Sequence, residues 1–236
     1  MLSCFINMCR TVVKERPVIG YYGFWVILTY LGVITAVFGI RFALEGNIRY
    51  ALICLMIAGI CDTFDGRVAS LKKRTDREKN FGIQIDALAD IISFGVLPAV
   101  IGYYMSQINH LTPSSGFFGV INTIVLSMYL LTALIRLAYF NVIEAELQNK
   151  NEKRTYYEGL PVTSVALIIP FLYSVFDIFN ISLAAVYNIL LVFISVLFVL
   201  KIKIPKPRGR SQLILCLIGL PFIIYILLPG GIRIWI

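Results

Sequence analysis

Four aspartates, Asp62, Asp65, Asp86 and Asp90, stand inside two stretches that are otherwise apolar enough to lie in a membrane. A carboxylate at membrane depth costs roughly 2.5 to 3.5 kcal/mol on insertion scales, so four of them together require a compensating partner, most simply a cation. Asp62 and Asp65 are three residues apart and Asp86 and Asp90 four apart, so on helices each pair projects from one face. Oxygen ligands with no His or Cys beside them select Mg²⁺, Mn²⁺ or Ca²⁺ over zinc or copper. Four carboxylates can hold two ions, and two ions can clamp a diphosphate and stabilise both the attacking and leaving oxygens of a displacement. A structural cluster neutralised by protonation, or by Arg67 and Lys72, is the weaker explanation: one protonated acid is cheap to hide, whereas four facing one another are not. A cation pathway stays open on these residues alone, although transporters usually place such acids at the midplane between repeats or broken helices.

Small residues flank the acids. Gly66 and Ala69 follow Asp62 by four and seven residues, and Gly82 precedes Asp86 by four. Each acidic stripe therefore adjoins positions where a bulky ligand can approach the backbone, although small residues by themselves more often mark helix packing.

The elements carrying these acids must be membrane helices. The chain has 236 residues, 59% of them hydrophobic and 14% charged, and its apolar runs of about twenty residues are long enough to cross a hydrocarbon core of ~30 Å. Without water to satisfy exposed backbone groups such runs must be helical, and the alternating polarity of membrane strands is absent. Seven spans are expected, over residues 24–44, 48–68, 81–105, 117–141, 160–179, 183–199 and 213–228. Ahead of them Leu2, Phe5, Ile6, Cys9, Val12 and Val13 recur at helical spacing, which predicts an interfacial amphipathic helix over residues 1–16. The fold class is thus all-α, a polytopic transmembrane bundle forming one domain over residues 20–236, with the catalytic part at about 48–165.

Basic residues accumulate in cytoplasmic loops, and here they fall on alternate connections. Arg10, Lys14 and Arg16 precede the first span; Arg67, Lys72, Lys73, Arg74, Arg77 and Lys79 lie around the second-to-third loop. Lys150, Lys153 and Arg154 follow the fourth span, and Lys201, Lys203, Lys206, Arg208 and Arg210 the sixth, while the other side receives Arg41, Arg49 and Arg233. This predicts an N-terminus and acidic site on the cytoplasmic side. The net charge of +8 is then a topological signal that also attracts anionic lipid, and no nucleic-acid partner is expected. The five cysteines, Cys4, Cys9, Cys54, Cys61 and Cys216, lack metal-ligand spacing and read as small buried hydrophobes.

The pattern Asp62-x-x-Asp65-Gly66-x-x-Ala69 followed by Gly82-x-x-x-Asp86-x-x-x-Asp90 resembles the signature of the CDP-alcohol phosphatidyltransferases, integral membrane enzymes of phospholipid synthesis. The segments from Phe81 to Asp90 and Ser93 to Ala99, the run Arg136 to Asn141, and Gly159-Leu160-Pro161 look like the phosphatidylserine synthase branch. The resemblance implies a six-helix core, here with about one extra span, a homodimer, and a cytoplasmic-membrane location in a bacterium. It further implies two divalent cations, Mg²⁺ or Mn²⁺, held by Asp62, Asp65, Asp86 and Asp90. The CDP diphosphate would lie against Asp62, Asp65, Gly66, Ala69 and Gly82. The implied reaction moves the phosphatidyl group of CDP-diacylglycerol to L-serine, giving phosphatidylserine and CMP, with Asp90 as general base.

Two departures from the family pattern stand out. Ser70 occupies the position after the motif alanine where the family usually has Arg, and the stretch from there to Gly82 is longer than usual and carries Lys72, Lys73, Arg74 and Arg77. One of these is expected to supply the missing cation. Arg136, a basic residue within a span, is a candidate for binding phosphate or the serine carboxylate, against a salt bridge with Asp65 or Glu144; Asn141 could assist it or cap the helix end. Alternative acceptors are glycerol phosphate and inositol phosphate, each of which needs a further basic pocket. His110 is expected in an outer loop, away from the acids.

Overall fold

A computed structural model describes residues 19–108, 116–149, 156–179, 181–205 and 210–227. The amphipathic helix expected over residues 1–16, Cys4, Cys9 and His110 lie outside the described residues.

A 3₁₀ turn, Phe24–Val26, leads into α1 (Ile27–Leu44), and α2 (Ile48–Ser70) follows after a tight connection. Next come α3 (Asp76–Asp90), a π-helical turn (Ile91–Val96) and α4 (Leu97–Ile108), which form one rod from Asp76 to Ile108. The long α5 (Phe117–Asn149) is followed by strand β1 (Tyr156–Glu158), a 3₁₀ turn (Val162–Ser164), α6 (Val165–Ile178) and α7 (Leu183–Val199). Strand β2 (Lys203–Pro205) and α8 (Arg210–Leu227) complete the described chain. Each of the seven expected spans corresponds to one rod, and among the described residues three of these are long and apolar enough to cross a bilayer by length and composition. A small antiparallel ribbon, in which Tyr157 of β1 lies opposite Ile204 of β2, has no counterpart in the sequence pattern.

The outward faces show why this bundle belongs in lipid. Leu31, Ile34 and Phe38 on α1, Ile124, Met128 and Leu131 on α5, and Ile189, Phe193 and Val196 on α7 are all exposed. Contiguous apolar surface of this extent would be an association hazard in water, whereas in hydrocarbon it is the expected exterior.

Inside, α1 lies along α2 through small residues. A Cβ added at Gly39 would come within 2.9 Å of the Cys54 Cβ, and one at Gly32 would meet the Cys61 Cβ at 3.6 Å. The cysteines here are free thiols serving as small packing residues, as close helix approach in membranes requires. The core around them is built from Leu52, Leu55, Phe94, Leu97, Ile169 and Leu191, all but fully buried.

The start of α3 is fixed chemically. The Thr75 hydroxyl accepts from the Glu78 backbone N–H at 3.3 Å, and the Glu78 carboxylate accepts from the Thr75 backbone N–H at 2.9 Å, a reciprocal capping box. Lys72 Nζ adds a 3.0 Å ion pair to Glu78.

Candidate active site

The four acids come from two helices that stand apart along most of their length. Asp62 and Asp65 project from the last third of α2, while Asp86 and Asp90 project from the end of α3. Because the two helices are antiparallel, the acids meet in crossed pairs, Asp62 with Asp90 and Asp65 with Asp86, each within carboxyl–carboxyl hydrogen-bonding reach. Asp65 is buried, and the Thr29 hydroxyl of α1 donates to its Oδ2 at 3.3 Å. Thr29 is a contributor the sequence reading missed, since a lone hydroxyl in an apolar span carries no signal of its partner.

The arrangement fits a metal. One carboxylate oxygen from each of Asp62, Asp65 and Asp86 lies within 4.8 Å of the other two. An ion bound at about 2.0 to 2.6 Å from each oxygen spans ligands some 4 to 5 Å apart, and an all-oxygen donor set suits a hard divalent cation. Gly66, one turn from Asp62, faces open space, with nothing within 4 Å of where a Cβ would stand.

These acids line a cavity of about 800 Å³. Its wall along α2 continues through Thr63, Gly66, Arg67 and Ser70, and α5 contributes Arg136, Leu137 and Phe140. The turn before α6 adds Thr163 and Ser164, the Ser164 hydroxyl donating to the Pro161 carbonyl at 2.6 Å. Arg67, Thr163 and Ser164 were not singled out from sequence as site residues, although the last two directly follow the Gly159-Leu160-Pro161 segment that was.

Arg136 is 4% exposed. Its Nε donates to the Leu160 carbonyl at 3.3 Å and Nη2 reaches the Gly159 carbonyl at 3.5 Å, while the guanidinium lies 5.8 Å from the Phe140 ring centre. The residue thus both lines the cavity and ties down the turn that carries Thr163 and Ser164. Gly159 makes that turn possible: its φ is +81°, and a Cβ there would lie 3.0 Å from the carbonyl oxygens of Phe198 and Leu200. Asn141, a turn further along α5, is half-buried and is not part of the cavity wall.

Two of the small residues expected against the diphosphate sit beside the wall instead. Ala69 is buried against Trp25 and Val26. At Gly82 a Cβ would meet Arg74 Nη1 at 3.1 Å and the Trp25 ring at 3.4 Å, and the Arg74 guanidinium lies 5.4 Å from the Trp25 ring centre. Gly82 accordingly makes room for a cation–π stack that braces α3 against the start of α1. Of the four basic residues in the long connection, Arg74 is engaged by this stack and Lys72 by Glu78. Arg67 lines the cavity one turn before Ser70, whose hydroxyl donates to the Arg67 carbonyl at 2.6 Å.

A family model described as CDP-alcohol phosphatidyltransferase matches residues 26–200. The chain is 35% identical over 162 residues to a CDP-diacylglycerol–serine O-phosphatidyltransferase of Saccharomyces cerevisiae, covering 66% of this chain and 51% of that protein. It is 26% identical over 200 residues to an archaetidylserine synthase of Methanothermobacter thermautotrophicus, covering 85% and 77%. A CDP-diacylglycerol–serine O-phosphatidyltransferase of Helicobacter pylori is 32% identical over 124 residues, covering 51% and 45%. The chain spans about half the length of the yeast and Helicobacter relatives.

Proposed function

The chain belongs to the CDP-alcohol phosphatidyltransferase family, and from that premise we propose that it transfers the phosphatidyl group of CDP-diacylglycerol to L-serine, releasing CMP. The observation that carries this reading is the crossed pairing of Asp62 with Asp90 and Asp65 with Asp86 in a cavity that also holds Arg67, Arg136 and four hydroxyl side chains, Thr63, Ser70, Thr163 and Ser164. Relatives named for serine transfer in yeast and Helicobacter support the choice of acceptor.

Two divalent cations, Mg²⁺ or Mn²⁺, would be held by Asp62, Asp65, Asp86 and Asp90 and would offset the charge of the diphosphate and of departing CMP. Asp90 serves as general base: its carboxylate takes the proton of the serine hydroxyl as that oxygen bonds to the phosphorus bearing diacylglycerol. The bond from this phosphorus to the bridging oxygen breaks, and CMP leaves with the electron pair. Arg67, at the loop end of the cavity, pairs with the nucleotide phosphates. Thr163 and Ser164, held by the Arg136 turn, orient the serine amine and carboxylate. Thr29 keeps the Asp65 carboxylate turned toward the cleft.

The acidic end faces the cytoplasm, where serine and CDP-linked lipid headgroups meet, and the protein acts as a homodimer in a bacterial cytoplasmic membrane. The acceptor is tested by offering purified protein CDP-diacylglycerol, Mn²⁺ and serine, glycerol phosphate or inositol phosphate in separate reactions. CMP release only with serine supports the reading, and release only with a phosphorylated acceptor overturns it.

A further inference from the structure

The cavity does not end at the acids. Along α2 its wall passes from Ser70 and Arg67 through Asp65 and Asp62 to Ile60, Gly59 and Met56, about 9 Å beyond Asp62 at 1.5 Å per residue. Along α6 it passes from Thr163 and Ser164 to Ala166, Leu167 and Ile168. The two helices converge there, because a Cβ at Gly59 would lie 2.6 Å from the Ala166 Cβ. The cavity therefore changes from charged to wholly apolar along its length.

Its far wall comes from α8, which lies beyond the residues matched by the family model. Gly219 and Ile223 of α8 line the apolar end. A Cβ at Gly219 would stand 3.1 Å from Leu167 Cδ2 and 3.5 Å from Met56 Cε, so α8 closes on both neighbouring helices at this glycine. The Tyr225 hydroxyl, donating at 2.8 Å to Asp177 Oδ2 of α6, ties α8 in place just beyond.

We propose that Gly219 and Ile223 form the wall against which an acyl chain of the CDP-linked lipid lies, so that α8 sets the chain length the site accepts. The proposal rests on the CDP-diacylglycerol reading above, and one occupant follows from continuity. A diphosphate at the acids leaves its lipid tail to run down the cavity, and the surface it meets is apolar side chain and glycine. A larger side chain at Ile223 would occupy the space of the chain's distal methylenes, and one at Gly219 would press Leu167 and Met56 into that space, leaving the headgroup end untouched.

The experiment measures binding of dioctanoyl and dipalmitoyl CDP-diacylglycerol, each with Mn²⁺, to the full-length protein in detergent and to its Gly219→Leu and Ile223→Trp variants. The expected result is about a tenfold loss of affinity for the dipalmitoyl lipid, the effect of roughly two methylenes driven from apolar contact, with the dioctanoyl lipid bound within about threefold of wild type. Ile223→Trp keeps the test open should Gly219→Leu fail to fold. Equal loss for both lipids, or no loss for either, overturns the proposal. Binding is read without an acceptor, so chain-length selectivity without serine transfer would count against the serine reading alone, and serine transfer without altered selectivity against the α8 proposal alone.

Discussion

The hydroxyl of Tyr129, on α5, donates a 2.6 Å hydrogen bond to the backbone carbonyl of Phe94. Phe94 lies four residues before Pro98, which has no N–H to give, so this carbonyl lacks its ordinary helical partner. It sits within the π-helical turn that begins immediately after Asp90. The fully buried Tyr129 thus satisfies the carbonyl freed by proline and holds the turn that aims Asp90 at Asp62.

Tyr129→Phe removes that donor and leaves a buried carbonyl unsatisfied, at a cost of about 1 to 2 kcal/mol. We expect a lower unfolding temperature in detergent and a several-fold drop in kcat. The comparison is Tyr187→Phe, whose acceptor, the Pro98 carbonyl at 3.0 Å, lies in the first turn of α4 and keeps a helical N–H partner. Equal losses in the two variants would remove any special link between Tyr129 and Asp90.

Arg67 should matter more to nucleotide binding than the basic residues of the following connection. Arg67→Ala is expected to raise the KM for CDP-diacylglycerol by about ten- to a hundredfold, the range of a lost charged hydrogen bond. Lys72→Ala, which frees Glu78 at the start of α3, should instead lower thermal stability with KM little changed. The opposite pattern in steady-state kinetics would assign the phosphate contact to Lys72.

Activity should require a divalent cation, since three acids place oxygens within 4.8 Å of one another. EDTA is expected to abolish CMP release and Mn²⁺ or Mg²⁺ to restore it. Asp65→Asn should shift the metal titration to higher concentration, and Thr29→Val, which removes the 3.3 Å hydrogen bond to Asp65, should shift it less. Full activity in EDTA would contradict the metal site.

Gly159→Ala places a Cβ at φ +81° and 3.0 Å from two backbone carbonyls. At least 1 to 3 kcal/mol of strain is expected, read as a lower unfolding temperature, together with reduced activity because the turn carries Thr163 and Ser164. An unchanged melting curve would show that the turn relaxes without cost.

The seven rods are legible because each is a mostly apolar run, long in three cases and shorter in others, a local property of the chain. The acids were legible because carboxylates in such runs have few explanations and because their spacing selects one helical face. What escaped the sequence reading depends on partners distant in the chain. Thr29 gains its role from Asp65, 36 residues away, and the ribbon of β1 and β2 exists only through pairing across α6 and α7. Gly82 suggested a ligand contact by its place in the motif, yet the space it leaves is taken by Arg74 and Trp25. The π-helical turn depends on distant partners too, since Tyr129, 35 residues along the chain, supplies the donor that Pro98 denies the Phe94 carbonyl.

The most direct test supplies the purified protein with CDP-diacylglycerol, Mn²⁺ and isotopically labelled L-serine, and follows CMP and the labelled lipid together, with Asp90→Asn in parallel. The wild type is expected to give one labelled phosphatidylserine for each CMP, and Asp90→Asn to show near-complete loss of turnover with CDP-diacylglycerol still bound. CMP released without labelled lipid, or Asp90→Asn turning over at the wild-type rate, would contradict that expectation.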